Sequence, residues 1–568
     1  MRYGVLQYWA SWIGLLGCCT AQVGAQSSPT DRQPAELVAA WPLKSDTAGR
    51  NAPDAINHRV SFEKDGPAGA EDGCARFDGV SSYLEIPAET FAKLDPQNFS
   101  LSAWIKLDAA ARDLPGEIIS RYDPAARRGF RLAVDSRTGV TSSQANWRNL
   151  HFGFDNGTEL STWTDHGQLG KAVLVFSMAV HAGELFAGTC VAGAEESGHV
   201  FRFDGQSWTD CGSPDRANAV TSLAVYEGAL YASTGKYRLS GSALTESINP
   251  HLGGGIYRYA GDNQWVDCGR LPGVEAIHGM VVYGGKLYAS SMYAPAGLYR
   301  YEGEQSWTNC GAPDGKRAEA LAVYNGFLYA TGYDEGAVYR YDGQAWEHMG
   351  KIPDATQTYG FAVYRDHLFV SEWPNAKVFR WGGRPGVWQP AGRLGMELET
   401  MPLLVYNGKM YGGTLPSAEV YRWDPGLLSE EDVWTQVGTL DATPDVRYRR
   451  VWSMAVFQGR LFAGTLPSGR VYSAQAGWNV TWDQGLSDGW HHLAAVVDRG
   501  ELKLFLNGKL LTDNQRGVSI PRIDLFSGEQ PVTIGRGTTD YFCGHMSDVR
   551  VYNGSLTTSQ LELSSTAK

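Results

Sequence analysis

The sequence predicts an all-β protein whose middle, residues 160–477, is a seven-bladed β-propeller. Three observations predict it. An apolar hairpin unit recurs seven times, a Trp-x-x-x-Gly motif recurs at spacings of 39 to 57 residues, and the last unit lacks a strand that appears ahead of the first. Repeats of that length with four short strands each are the signature of propeller blades.

Each unit opens with an apolar strand, a two-residue turn and a second strand. Examples are Ala224-Val225-Tyr226-Glu227-Gly228-Ala229-Leu230-Tyr231, Ala322-Val323-Tyr324-Asn325-Gly326-Phe327-Leu328-Tyr329 and Leu404-Val405-Tyr406-Asn407-Gly408-Lys409-Met410-Tyr411. An x-Gly pair between alternating apolar residues predicts a tight hairpin, because glycine accepts positive φ. A third strand carries a central arginine, as in Val338-Tyr339-Arg340-Tyr341 and Val378-Phe379-Arg380-Trp381. The fourth carries Trp208, Trp265, Trp307, Trp346, Trp388 or Trp434. The seventh unit, Trp452 to Tyr472, stops after its third strand, and Ser161 to Gly167 supplies the missing fourth. An N-terminal strand that completes the last blade closes the ring and leaves no free sheet edge.

Residues 30–157 and 478–568 fall outside the repeat and read as two halves of one domain. The first half holds Cys74-Ala75-Arg76-Phe77-Asp78-Gly79, Tyr83-Leu84-Glu85-Ile86-Pro87 and Phe99 to Lys106. The second holds Gly489-Trp490-His491-His492-Leu493-Ala494, Leu504 to Lys509 and Gly544 to Tyr552. In that order the segments resemble the laminin-G-like, concanavalin-A-like (pentraxin-like) jelly roll. The resemblance implies a two-sheet sandwich that binds glycans or proteins, often with calcium, and implies no reaction. It implies neighbouring first and last strands, hence a disulfide between Cys74 and Cys543, and calcium at Asp46 and Asp548, whose hard oxygen ligands suit that ion. The bland reading of those two carboxylates is a turn and a strand end.

The N-terminus reads as an export signal over residues 1–25. Arg2 precedes an apolar stretch from Tyr3 to Gly17, and Val23-Gly24-Ala25 suits cleavage before Gln26. Leu15-Leu16-Gly17-Cys18 also resembles a lipobox, which would leave a lipid anchor on Cys18, so soluble export and a lipoprotein both stay open. No later apolar run reaches the ~20 residues of a membrane helix. A net charge of -12 without a Lys/Arg cluster argues against a nucleic-acid partner.

The repeated residue types have structural readings that outweigh chemical ones. The tryptophans fill the space between blades. The third-strand arginines stack on aromatics or pair with Asp165, Asp210 and Asp267. Cys211, Cys268 and Cys310 share a repeat position with His166, Met349, Ala391 and Val437, which makes it an apolar packing slot. His491 and His492 are adjacent on a strand and point to opposite faces, so one zinc ion does not suit both. No Glu-x-Asp-x-Glu glucanase strand, nucleophile elbow or zinc-protease helix occurs. Asp204-Gly205-Gln206-Ser207-Trp208 approaches a sialidase turn but reads as a β-turn.

The topology places the ligand. Both junctions of the propeller, near 160 and 477, fall on the face of the short hairpin turns, so the jelly roll is expected there. The opposite face carries the long loop from Thr234 to Gly254 and the starts of the channel-lining strands. At one aligned position stand His278, Glu319, Tyr359 and Trp452, with Phe176, Thr221 and Met401. Acid, base and aromatics in one column suit a pocket better than repeated packing does. The expectation is an exported binding or adhesion protein for glycan or protein ligands, with no catalytic residue recognised. The alternative is an extracellular enzyme acting on polysaccharide or a small metabolite through that face, and two carboxyl groups in one cleft would favour it.

Overall fold

The computed structural model describes residues 35–566, apart from 45–54, 68, 111, 125, 137–145, 158–159, 161, 425–432, 513–519, 521, 523–524 and 527. The export signal, Cys18 and Asp46 lie outside the described residues.

The chain is all-β, with a propeller-like ring of sheets and a concanavalin-A-like sandwich. Among the described residues five sheets of the ring are separate and four-stranded, and four of these are meanders, such as Gln357–Tyr364, His367–Trp373, Lys377–Trp381 and Trp388–Arg393. The expectation of seven separate sheets is corrected by the eight-stranded one. It joins the meander from Leu174–His181 to Trp208–Asp210 with that from Ala219–Tyr226 to Gln264–Arg270, through the single pair Cys190↔Ala219. Thr164–Gln168 pairs with Arg470–Ala474, so a strand from before the repeat completes its last sheet. Apolar clusters fill the spaces between successive sheets. The cluster of Met178, Val180 and Leu185 with Ala455, Phe457 and Phe462 joins the last sheet to the first.

Five of the seven motif tryptophans tie their sheet to the preceding one, whereas the indole N–H groups of Trp208 and Trp346 have no acceptor among the described residues. Trp265, Trp307, Trp388 and Trp434 each donate their indole N–H to a carbonyl of the preceding sheet: Cys211 at 2.9 Å, Cys268 at 2.8 Å, Met349 at 3.0 Å and Ala391 at 2.8 Å. Trp163 does the same to Val437 at 3.0 Å. The acceptors are the variable slot after the previous tryptophan. That slot gives its backbone oxygen, so its side chain is free to be Cys, Met, Ala or Val. The arginine column pairs locally, but with other carboxylates than expected: Arg202 with Glu184 at 3.0 Å, Arg300 with Glu302 at 2.7 Å, Arg340 with Glu347 and Arg422 with Asp424 at 2.8 Å. Asp165 instead binds Arg470 and Asp210 binds His199.

The sandwich has two sheets, and each mixes strands from both flanks of the ring. One runs Ser61–Gly66, Gly69–Asp78, Cys543–Asn553, Asn98–Leu107, Trp490–Asp498, Glu501–Leu506, Lys509–Thr512, with Glu36–Trp41 also on Cys543–Asn553. The other runs Ile56–His58, Tyr83–Ile86, Val532–Ile534, Gly116–Asp123, Arg128–Asp135, Asn149–Asn156, Trp478–Trp482. Phe77, Phe99, Phe130, Phe152 and Phe154 fill the space between them.

The expected disulfide is not formed: no S–S bond joins Cys74 to Cys543. Their strands are neighbours, but register separates them. Cys543 lies opposite Asp78, four residues along from Cys74, which is ~13 Å at 3.3 Å per residue. A disulfide needs Cα atoms within ~7 Å. The Cys543 thiol instead lies 3.6 Å from Asp108 Oδ2.

The sandwich covers the short-turn face of the ring. The turn amides of Arg365 and Asp366 each donate at 3.0 Å, to the carbonyls of Thr538 and Thr539. Asn407 donates to Phe154 O at 3.0 Å, and Lys409 Nζ meets Asp155 Oδ2 at 2.7 Å with both side chains buried. Asn407 adopts φ 45°, a left-handed conformation that asparagine tolerates in such turns.

Candidate functional site

The first strand of every ring unit carries a β-bulge at its channel end. The registers shift between Val175/Ser177, Val220/Ser222, Ile277/Met280, Ala318/Leu321, Thr358/Phe361, Thr400/Leu403 and Val451/Ser453. The residues inside those shifts are the aligned column: Phe176, Thr221, His278, Glu319, Tyr359, Met401 and Trp452. A bulge frees a residue from the ladder and re-aims its side chain, and bulges gather beside binding sites for that reason.

His278, Glu319, Tyr359 and Trp452 come together on one cavity of about 390 Å³, on the face away from the sandwich. That volume falls in the range of small-molecule sites. Met401 joins them, while Phe176 packs beneath, 4.9 Å from the Trp452 ring and 5.1 Å from Tyr237.

The sequence reading missed two further rows. One lies two residues before the column and adds Arg317, Gln357, Glu399 and Arg450. Period-two alternation along a strand is the signal that would have found it. The other follows the second strands and supplies Tyr237, Tyr293, Tyr333 and Trp373 as aromatic walls.

The floor is polar, buried and incompletely bonded. His278 and Glu319 are each 2 % exposed, and His278 Nδ1 stands 3.6 Å from Glu319 Oε2. Neither ring nitrogen of His278 nor Glu319 Oε2 has a hydrogen-bond partner among the described residues. Burial pushes the His278 pKa down to about 3, helped by Arg317. Burial also raises the Glu319 carboxyl well above its usual range, against the pull of Arg317 and reinforced by Glu399 and Asp334. Both shifts favour the uncharged forms of the two groups.

The second carboxyl differs. Burial raises Glu399 too, but Arg450 opposes it, with Nε 3.7 Å from Glu399 Oε1. Arg450 also donates to Ser242 Oγ at 3.1 Å and lies 5.1 Å from the Trp452 ring centre. Arg317 pairs with Asp334 and stacks on Tyr333 at 4.2 Å.

Asp46 lies outside the described residues, and the other residues considered for metal have partners of their own. Asp548 binds Arg550 at 2.7 Å, His491 Nε2 lies 2.9 Å from Ser487 O, and His492 packs on Trp104 at 5.2 Å. Among the described residues no group of three or more His, Cys, Asp or Glu is placed to hold a metal ion.

A family model described as the concanavalin A-like lectin/glucanases superfamily matches residues 451–562. No curated protein matches the chain. Among solved structures, a catalytically inactive virginiamycin B lyase from Staphylococcus aureus with quinupristin is similar at 11 % identity. That match covers 55 % of this chain and 99 % of the other, with TM-score 0.43. YCF48 from Cyanidioschyzon merolae is similar at 9 % identity over 56 % of this chain and 99 % of the other, with TM-score 0.40. The extracellular domain of a one-component system from B. thetaiotaomicron is similar at 12 % identity, over 61 % and 46 %, with TM-score 0.41. Values this low carry no argument about activity.

Proposed function

We propose that this chain is an exported binding protein, a seven-bladed propeller inserted into a laminin-G-like jelly roll, which takes a glycan into the cavity around His278, Glu319, Tyr359 and Trp452. The blade count is supported by the two four-stranded meanders that share only one residue pair within the eight-stranded sheet. The insertion is supported by the mixing of strands from both flanks in each sandwich sheet.

One observation carries the ligand class: unpartnered buried polar atoms form the floor of a cavity with aromatic walls. Buried polar groups are nearly always hydrogen-bonded, so the floor calls for a ligand or water that bonds to it. A sugar ring meets that demand with its hydroxyl edge and stacks its apolar face on Tyr or Trp. A glycan array followed by calorimetry on Glu319→Ala and Trp452→Ala tests the reading. Both variants are expected to lose binding while keeping the wild-type circular dichroism spectrum, and retained affinity in both would reject the site.

The enzyme reading is favoured by one observation, the two carboxyl groups in one cavity. Glu319 has no cation of its own, whereas Glu399 has Arg450, and such a split suits an acid with a carboxylate partner. Turnover of array hits, lost in Glu319→Gln and in Glu399→Gln, would establish it. Calcium at Asp46 and Asp548 belongs to the proposal as a support for the jelly roll, and an unchanged melting temperature in EDTA would remove it.

A further inference from the structure

A second cavity, of about 300 Å³, lies between the sandwich and the ring, away from the column. Its charged lining is cationic: Arg365 and Arg380 from the ring and Arg536 from the sandwich, with His367 beside them. A neighbouring hollow of about 450 Å³ shares His367 and Arg380. Asp366 lines that hollow as well.

Of the six third-strand arginines, Arg258 and Arg380 make no ion pair among the described residues, and of these Arg380 lines the cleft. In four sheets the third-strand arginine is neutralised by a carboxylate, as Arg340 is by Glu347, its cross-strand partner. The register-equivalent pair in the sheet facing the cleft is Arg380↔Gln389. Arg380 Nη2 reaches the Gln389 amide oxygen at 2.5 Å, so the guanidinium is hydrogen-bonded but its charge is left uncompensated. Arg365 likewise makes no ion pair among the described residues. Its turn is pinned to the sandwich by the amides of Arg365 and Asp366, which donate to Thr538 O and Thr539 O at 3.0 Å. The nearby acid, Asp366, is taken by Arg536, at 2.5 Å from Nη2 and 2.6 Å from Nε. Trp423 lines the same cavity, is 7 % exposed, and its indole N–H has no acceptor among the described residues. A cleft whose free groups are donors, two of them charged and planar, suits an oxyanion, to which guanidinium binds through paired N–H bonds.

We propose that the cleft between the two lobes is an oxyanion-binding site, in which Arg365 and Arg380 hold the sulfate ester or carboxylate of an acidic sugar. The site is independent of the propeller cavity, and its failure would leave the reading of that cavity untouched.

The test uses the full chain, calorimetry at low salt, and three probes: inorganic sulfate, D-glucuronate and D-glucose. Saturable binding of one anion is expected, with none of glucose. Sulfate alone identifies the sulfate ester and glucuronate alone the carboxylate. Gln389→Glu gives Arg380 the carboxylate that Arg340 has, and is expected to weaken anion binding at least tenfold without loss of fold. Arg365→Ala is expected to weaken it as much, and Glu319→Gln, in the other cavity, to leave it unchanged. The proposal is overturned if neither anion binds saturably below about 10 mM (an affinity near 3 kcal/mol). It is equally overturned if Gln389→Glu and Arg365→Ala, both folded, bind as the wild type does.

Discussion

Replacing Lys409 by methionine separates the two lobes at their most buried charge. Lys409 Nζ lies 2.7 Å from Asp155 Oδ2 and 2.8 Å from Oδ1, and the two side chains are 2 % and 1 % exposed. Methionine fills most of the lysine stem and removes only the ammonium, so packing is nearly conserved. The Asp155 carboxylate stays buried with two neutral donors, Tyr122 OH at 2.9 Å and the Gly157 amide at 2.9 Å. Breaking one side of a buried pair costs about 3–5 kcal/mol, and the surviving hydrogen bonds place this case near the low end, at ~3 kcal/mol. Adding Asp155→Asn removes the stranded charge, so the double variant should recover about half of the loss. Urea unfolding at pH 7, read by tryptophan fluorescence with limited proteolysis at the lobe junction, measures both. A loss under ~1 kcal/mol in Lys409→Met, or a double variant with strictly additive losses, would refute the claim that this pair couples the lobes.

Two further outcomes follow from the same packing. Asp483 is fully buried under the Gln458 turn, and burial pushes its pKa up to about 7. Its contribution to stability is therefore full below the ordinary value of 3.8 and is lost as pH rises through 7, by up to ~4 kcal/mol. Asp483→Asn should match the wild type at pH 4 and exceed it at pH 8, and denaturation curves that stay parallel across that range would contradict the assignment. Trp265→Phe removes the indole bond to Cys211 O at 2.9 Å and should cost about 1–2 kcal/mol by thermal unfolding, whereas no loss would show that the bond is not a latch between sheets.

Much of the ring was legible in the sequence because a repeat exposes its own geometry. The x-Gly turns, the motif tryptophans and the strand that completes the last sheet are local patterns repeated often enough to average out accident. Aligning the repeats also isolated His278, Glu319, Tyr359 and Trp452, since equivalent positions in a ring converge on its axis. The row of Glu399 and Arg450 was open to the same alternation, two residues before the column, and was missed because only one position per repeat was aligned. Tyr333 and Trp373 stand at the ends of the second strands, and only the packing of the ring brings them to the same cavity.

Strand content, the ring and the axial column could be read from the residues because each depends on spacing along one segment. Register between distant segments came from the packed chain alone. It set Cys543 opposite Asp78, leaving the Cys74 and Cys543 thiols apart. It also gathered Arg365, Arg380 and Arg536 into one cleft. Pairing register and lobe docking arise from long-range packing, and a shift of a few residues in either moves side chains by ~3.3 Å per residue with no change in local pattern.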